Sequence, residues 1–97
     1  MKLIALYKQP ADPEAFDKAY FKTHLALIEK LPGLQHAHVT RFTRSLGGDS
    51  YYLMAEMAFA DEAALKAAMK SPEMAAAGQN LDSFAKGSYS LMFGEEV

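Results

Sequence analysis

The chain has 97 residues, 51% of them apolar, with a formal net charge of −2 and no cysteine. That balance fits one globular domain over residues 1–97. It excludes disulfides, thiolate metal sites and a cysteine nucleophile, and without a Lys/Arg cluster it speaks against nucleic acid and anionic membranes as partners.

The opening run Lys2–Lys8 is apolar at nearly every position and has the length of a strand. It is too short for a signal peptide or a membrane span, so the expected location is the cytoplasm. A strand without polar alternation is predicted to be central and buried on both faces.

A helix is predicted over Asp12–Leu31. Asp12 is suited to cap its N-terminus, and Pro13 to the first helical position. Glu14 and Asp17 lie near the positive end of the helix dipole. Lys30 falls in the last turn, and Pro32-Gly33 ends the helix. With residues placed at roughly 100° steps, Phe16, Tyr20, His24, Leu27 and Leu31 share one narrow stripe. Phe21, Leu25 and Ile28 widen it, while Lys18, Lys22, Ala26 and Glu29 lie opposite. His24 therefore sits where the pattern asks for an apolar side chain.

Leu34–Arg44 alternates with mixed polarity, as an edge strand does. Leu46-Gly47-Gly48-Asp49 supplies a turn, and Tyr51–Phe59 answers as the second arm of a hairpin. Asp61 caps a helix over Ala63–Lys70. Ser71 and Pro72 start another short helix that Gly78 bends or ends. Leu81–Ala85 reads as a further turn closed by Gly87, and Ser88–Phe93 as a last strand. The order β-α-β-β-α-β predicts an α+β ferredoxin-like plait, a four-stranded antiparallel sheet with its helices on one face. Lys2–Lys8 and Tyr51–Phe59 fall in the middle. Their second apolar face is expected to bury itself against another copy, giving a homodimer through sheet faces.

Such a fold hosts many functions. Tyr51–Phe59 lacks the basic-glycine-aromatic pattern of an RNA-recognition sheet and carries Glu56. His36 and His38 share a strand face without a companion carboxylate, so no metal site is assigned. Gly47-Gly48 leads into no helix and cradles no phosphate, and no serine nucleophile elbow is present. His24 remains. It is either a core histidine with satisfied ring nitrogens or a site residue facing a cleft between helix and sheet. In the second case Phe16, Tyr20 and Leu27 from the helix would line the cleft, with Tyr7, Phe42, Tyr52, Met54 or Tyr89 from the sheet according to parity. His24 would then be the general acid or base, with Tyr20 assisting. Asp17, two turns earlier, reads as a helix-start charge.

The text F-D-x-x-Y-F-x-x-H-L (Phe16–Leu25) followed by L-P-G-L (Leu31–Leu34) resembles the EthD family. So do S-P-E-M-A-A-A-G-Q-N-L (Ser71–Leu81), F-A (Phe84, Ala85), L-M-F-G-E (Leu91–Glu95) and the opening K-L-I-A-L-Y-K. The resemblance covers nearly the whole chain. It implies the dimeric α+β barrel, with ligands held between the helices and sheet of each subunit. The family's helix histidine matches His24 and its tyrosine matches Tyr20; Ala26 stands where members often have proline. The implied function is binding of a small apolar or oxygenated organic molecule, as in ether degradation. Cofactor-free proton transfer of an isomerase, cyclase or dehydratase kind is one form of it. A non-catalytic partner of an oxygenase is another, and a haem protein with His24 as axial ligand is a third.

Overall fold

Alternation along the strands decides which side of the sheet each residue takes in the computed structural model, which describes all of Met1–Val97. In β1 (Lys2–Tyr7) Leu3, Ala5 and Tyr7 are buried, while Lys2, Ile4 and Leu6 are half-buried on the other face. β1 pairs with β3 (Leu53–Ala58) and β4 (Tyr89–Gly94), and β2 (His36–Arg41) pairs with β3, every pair antiparallel. The order is β2-β3-β1-β4, so the two apolar strands are central, as expected. Ala5 lies opposite Ala55 and Leu91. That register puts Leu3, Ala5 and Tyr7 on one side with Leu53, Ala55 and Met57, and on that side the core forms. The hairpin is looser than its glycines suggested. Its ladder closes with the Phe42 N–H donating to the Tyr52 carbonyl at 3.0 Å, and Gly48 takes a φ of +70° within the connection.

The first helix starts as its sequence dictates. The Asp12 carboxylate accepts from the Ala15 N–H at 3.1 Å, and Pro13 opens α1 (Pro13–Ala19). Regular winding then stops. Tyr20–His24 forms a π-helical turn, in which the Leu25 N–H reaches back to the Tyr20 carbonyl, before α2 (Leu25–Ile28) resumes. The reason lies in the spacing. Phe16, Tyr20, His24 and Ile28 are four residues apart, and each such step would drift by roughly 40° on an α-helix. The wider π turn takes up that drift, and all four side chains are buried. Leu27, expected on the buried stripe, is turned to half-exposure instead.

α3 (Glu62–Met69) is capped by Asp61, which accepts from Ala64 N–H at 2.8 Å. α4 (Pro72–Ala85) is capped by Ser71, which accepts from Met74 N–H at 3.1 Å. α4 runs unbroken through Gly78, so the expected break there is corrected. The alanines before Gly78 favour helix, and an interior glycine costs only about 1 kcal/mol. Phe16, Tyr20, Ile28, Leu65, Ala77 and Leu81 close the core over the sheet. No helix is long and apolar enough to cross a membrane.

Candidate functional site

His24 is the one buried residue that is not hydrophobic, with 2% of its surface exposed. The π turn aims its ring at α4, where Nδ1 lies 3.1 Å from Oδ1 of Asn80. A carbonyl oxygen only accepts, so Nδ1 carries the hydrogen and donates. Burial lowers the His24 pKa from its ordinary value, and the bond to Asn80 offsets part of that by favouring the charged ring. The imidazole is therefore neutral at pH 7, with a bare lone pair on Nε2. No buried side-chain nitrogen or oxygen sealed from its surroundings lacks a partner, and Asn80 is the hydrogen-bond partner of this ring. Nε2 thus borders open space.

His24 also lines a cleft of about 50 Å³ between sheet and helices. Leu3, Ala5, Tyr7, Met57, Tyr89 and Leu91 form its floor and edge; Ile28, Met74, Ala77, Gly78 and Leu81 form its roof with His24. None of these carries a full charge. Met74, Gly78, Tyr89 and Leu91 are part-exposed and form the rim. A Cβ added at Gly78 would meet nothing within 4 Å, so the missing side chain is an opening in the wall.

Behind the cleft stands an aromatic buttress. Tyr20 stacks on Phe16 at 5.8 Å and meets the His24 ring at 5.4 Å; Phe84 meets the same ring edge-on at 5.9 Å. Tyr7 packs edge-on against both Phe16 and Tyr20. Burial pushes the Tyr20 hydroxyl up to about 12. It pushes Tyr7 higher still. Both phenols keep their protons at any working pH.

Of the site residues named from sequence, the cleft brings together His24, Tyr7 and Tyr89. Tyr20 and Phe16 lie in the layer behind it. Leu27 sits in a surface hollow with Lys30 and Pro72, and Phe42 in the hairpin loop near Gln9 and Arg44. Met54 pairs with Leu6 on the opposite face of the sheet. Tyr52 leaves its strand parity: its O–H donates to Asp17 at 2.7 Å and accepts from Arg41 at 2.6 Å. With the Arg41–Asp17 ion pair at 3.2 Å, it ties the helix start to the sheet, so Asp17 is more than a helix-start charge. His36 and His38 touch each other at 4.9 Å on exposed β2, and no group of three or more His, Asp or Glu is set to hold a metal ion.

Sequence reasoning missed Asn80, Met74, Gly78 and Leu81. The signal was there for Asn80, which falls on the inward stripe of α4 with Ala77, Leu81 and Phe84. The expected break at Gly78 hid it by splitting the stripe.

The profile described as EthD domain matches residues 8–88. An uncharacterised 11.0 kDa protein from the thcB–thcC intergenic region of Rhodococcus erythropolis is 31% identical over 97 residues, covering 98% of this chain and 93% of that protein. The crystal structure of an EthD-family protein from Bacillus halodurans is 47% identical and superposes with a TM-score of 0.93, covering 99% of this chain and 97% of that one. A dimeric ferredoxin-like protein of unknown function from Jannaschia shares the fold at a TM-score of 0.70 and 21% identity, with 98% of each chain covered.

Proposed function

Because the chain belongs to the EthD family, we propose that it binds a small, mostly apolar organic molecule in the cleft beside His24, and that Nε2 acts on that molecule as a base. One observation carries the reading: a buried, neutral imidazole whose Nδ1–H is fixed by Asn80 lines an apolar cleft, and its second nitrogen has no hydrogen-bond partner in the protein. A core histidine kept only for packing has no need of the cleft. Proton transfer is the chemistry such a group performs. A C–H bond of the ligand breaks, Nε2 gains the proton, and returning it to another atom isomerises the ligand with no further reactant. Tyr20 and Phe84 position the ring, and Tyr20 does not touch the ligand.

A second reading, binding without conversion as an accessory to an oxygenase, is favoured by a different observation. The Tyr89 hydroxyl at the cleft donates to Asp82, which takes that donor away from a developing oxyanion. The haem reading is not carried forward: about 50 Å³ is far below even the roughly 300–1,000 Å³ of drug-sized sites. The ligand places a few heavy atoms inside and lays the rest over Leu91 and Met74.

The face of the sheet away from the helices is assigned to a second copy of the chain. It carries Ile4, Leu6, Met54 and Met92 as an apolar patch beside the Lys2–Glu56 pair.

The test is a fragment screen by amide NMR on the wild type and on His24→Gln, followed by analysis of the recovered fragments. The base reading expects conversion by wild type and binding without conversion by the variant. Fragments returned unchanged from both proteins leave the accessory reading. No fragment disturbing His24, Ala77 or Leu91 would sink the site itself.

A further inference from the structure

We infer that the Tyr7 hydroxyl is the hydrogen-bond donor that the His24 cleft offers its ligand, and that the ligand is a compact, uncharged molecule with a carbonyl-type acceptor oxygen on an apolar body; this rests on the cleft being the ligand site. Tyr7 ends the central strand β1 and lines the cleft. Its backbone is held on both sides. It lies opposite Leu53 and Tyr89, and its carbonyl accepts from the Tyr52 N–H at 2.8 Å. Its ring packs edge-on against Phe16 and Tyr20, each at 5.5 Å. Only 1% of the residue is exposed, so the phenol is fixed in place before a ligand arrives. None of the side-chain hydrogen bonds of the protein uses this hydroxyl, and no sealed side-chain oxygen or nitrogen goes without a partner, so the Tyr7 oxygen borders the cleft.

A hydroxyl in that position gives a hydrogen bond and keeps its proton. Burial raises its pKa, and the nearby Tyr20 adds to the rise, so the O–H stays intact at neutral pH. The Tyr89 hydroxyl already donates to Asp82 at 2.7 Å. The rest of the lining, His24 apart, is aliphatic, thioether or glycine. A pure hydrocarbon would cover the Tyr7 hydroxyl and leave its hydrogen unmet. A carboxylate could take that hydrogen, but no lysine or arginine lines the cleft to offset the water it loses. The neutral oxygen of a ketone or ester meets the hydrogen without that loss, and its apolar body suits the remaining walls.

The discriminating experiment titrates the full chain at pH 7.5 with cyclopentanone and methylenecyclopentane, two rings of one shape in which an oxygen is exchanged for a CH₂ group. Affinity is read from the amide shifts of Ala5, Ala77 and Leu91. Water holds the two probes unequally, so the informative quantity is the change in each affinity on Tyr7→Phe. Loss of the hydroxyl is expected to weaken the ketone about three- to tenfold, the worth of one net hydrogen bond, and to leave the hydrocarbon bound as well as before or better. The infrared carbonyl stretch of the ketone bound to the wild type is expected to lie below its value in cyclohexane, a readout that needs no variant to fold. An unshifted stretch, or a variant that weakens both probes alike or neither, overturns the role of Tyr7 and leaves the cleft as a site; that is the result if Tyr20 keeps the hydrogen. Failure of both probes to move any cleft amide overturns the site as well.

Discussion

At the scale of single residues, His24 and Asn80 are one unit. Removing the amide in Asn80→Ala leaves a buried N–H unpaired, which is expected to cost about 1–3 kcal/mol in chemical denaturation. It also removes the bond that favours the charged ring, so the His24 pKa, followed by NMR, should fall further. The pH dependence of stability has a fixed sign. Folding holds the His24 pKa below its unfolded value of about 6.5, so between that value and the lower folded one the unfolded chain binds the extra proton. Stability is full above pH 6.5 and declines as pH falls through that window, by at most about 1.4 kcal/mol per pH unit. His24→Gln should flatten that part of the profile. His24 was legible in the sequence because it interrupts an apolar stripe. Its partner was not, because an asparagine in a helix reads as surface until the inward face is known. A regular helix also put Leu27 at the middle of the stripe and Ile28 at its margin, where the structure buries Ile28 and leaves Leu27 part-exposed.

At the scale of elements, caps and strands were legible because their signals are local. Asp12, Asp61 and Ser71 cap as their types dictate, and alternation in β1 and β3 fixes which side faces the helices. The π turn was not legible as such, because a backbone register is chosen by what must be buried on both sides of it. The four-residue spacing of Phe16, Tyr20, His24 and Ile28 was its only trace. Deleting exposed Thr23 removes the additional residue and should restore α winding. Circular dichroism is expected to show the fold retained, and NMR to show the His24–Asn80 bond lost with ligand binding. A variant that keeps the bond would show that the π turn does not set the site. Gly78→Ala is expected to raise stability by up to about 1 kcal/mol, since its methyl replaces glycine in a helix and meets no atom. The same methyl narrows the opening, so ligand affinity should fall.

At the scale of the whole molecule, a sheet with helices on one face leaves the other to be covered. The sequence expected both faces of β1 to be buried, yet in one chain Ile4 and Leu6 are only half-buried and Met92 is 43% exposed. A stable pairing needs roughly 1,200–2,000 Å² of buried surface, which a four-stranded sheet can supply. Leu6→Asp puts a charge into that face without touching the helix side. It is expected to give a folded monomer by analytical ultracentrifugation, against the dimer expected of the wild type. A dimer that survives the change places the seam elsewhere.

The bare position at Gly78 has a consequence for anyone ranking variants by melting temperature. A gain of about 1 kcal/mol moves the midpoint of a domain this size upward by roughly 4–8 °C, so Gly78→Ala would lead such a ranking. Heat resistance and ligand capture pull in opposite directions at this one position. A campaign that selects only for the first would fill the doorway and record the loss as an improvement.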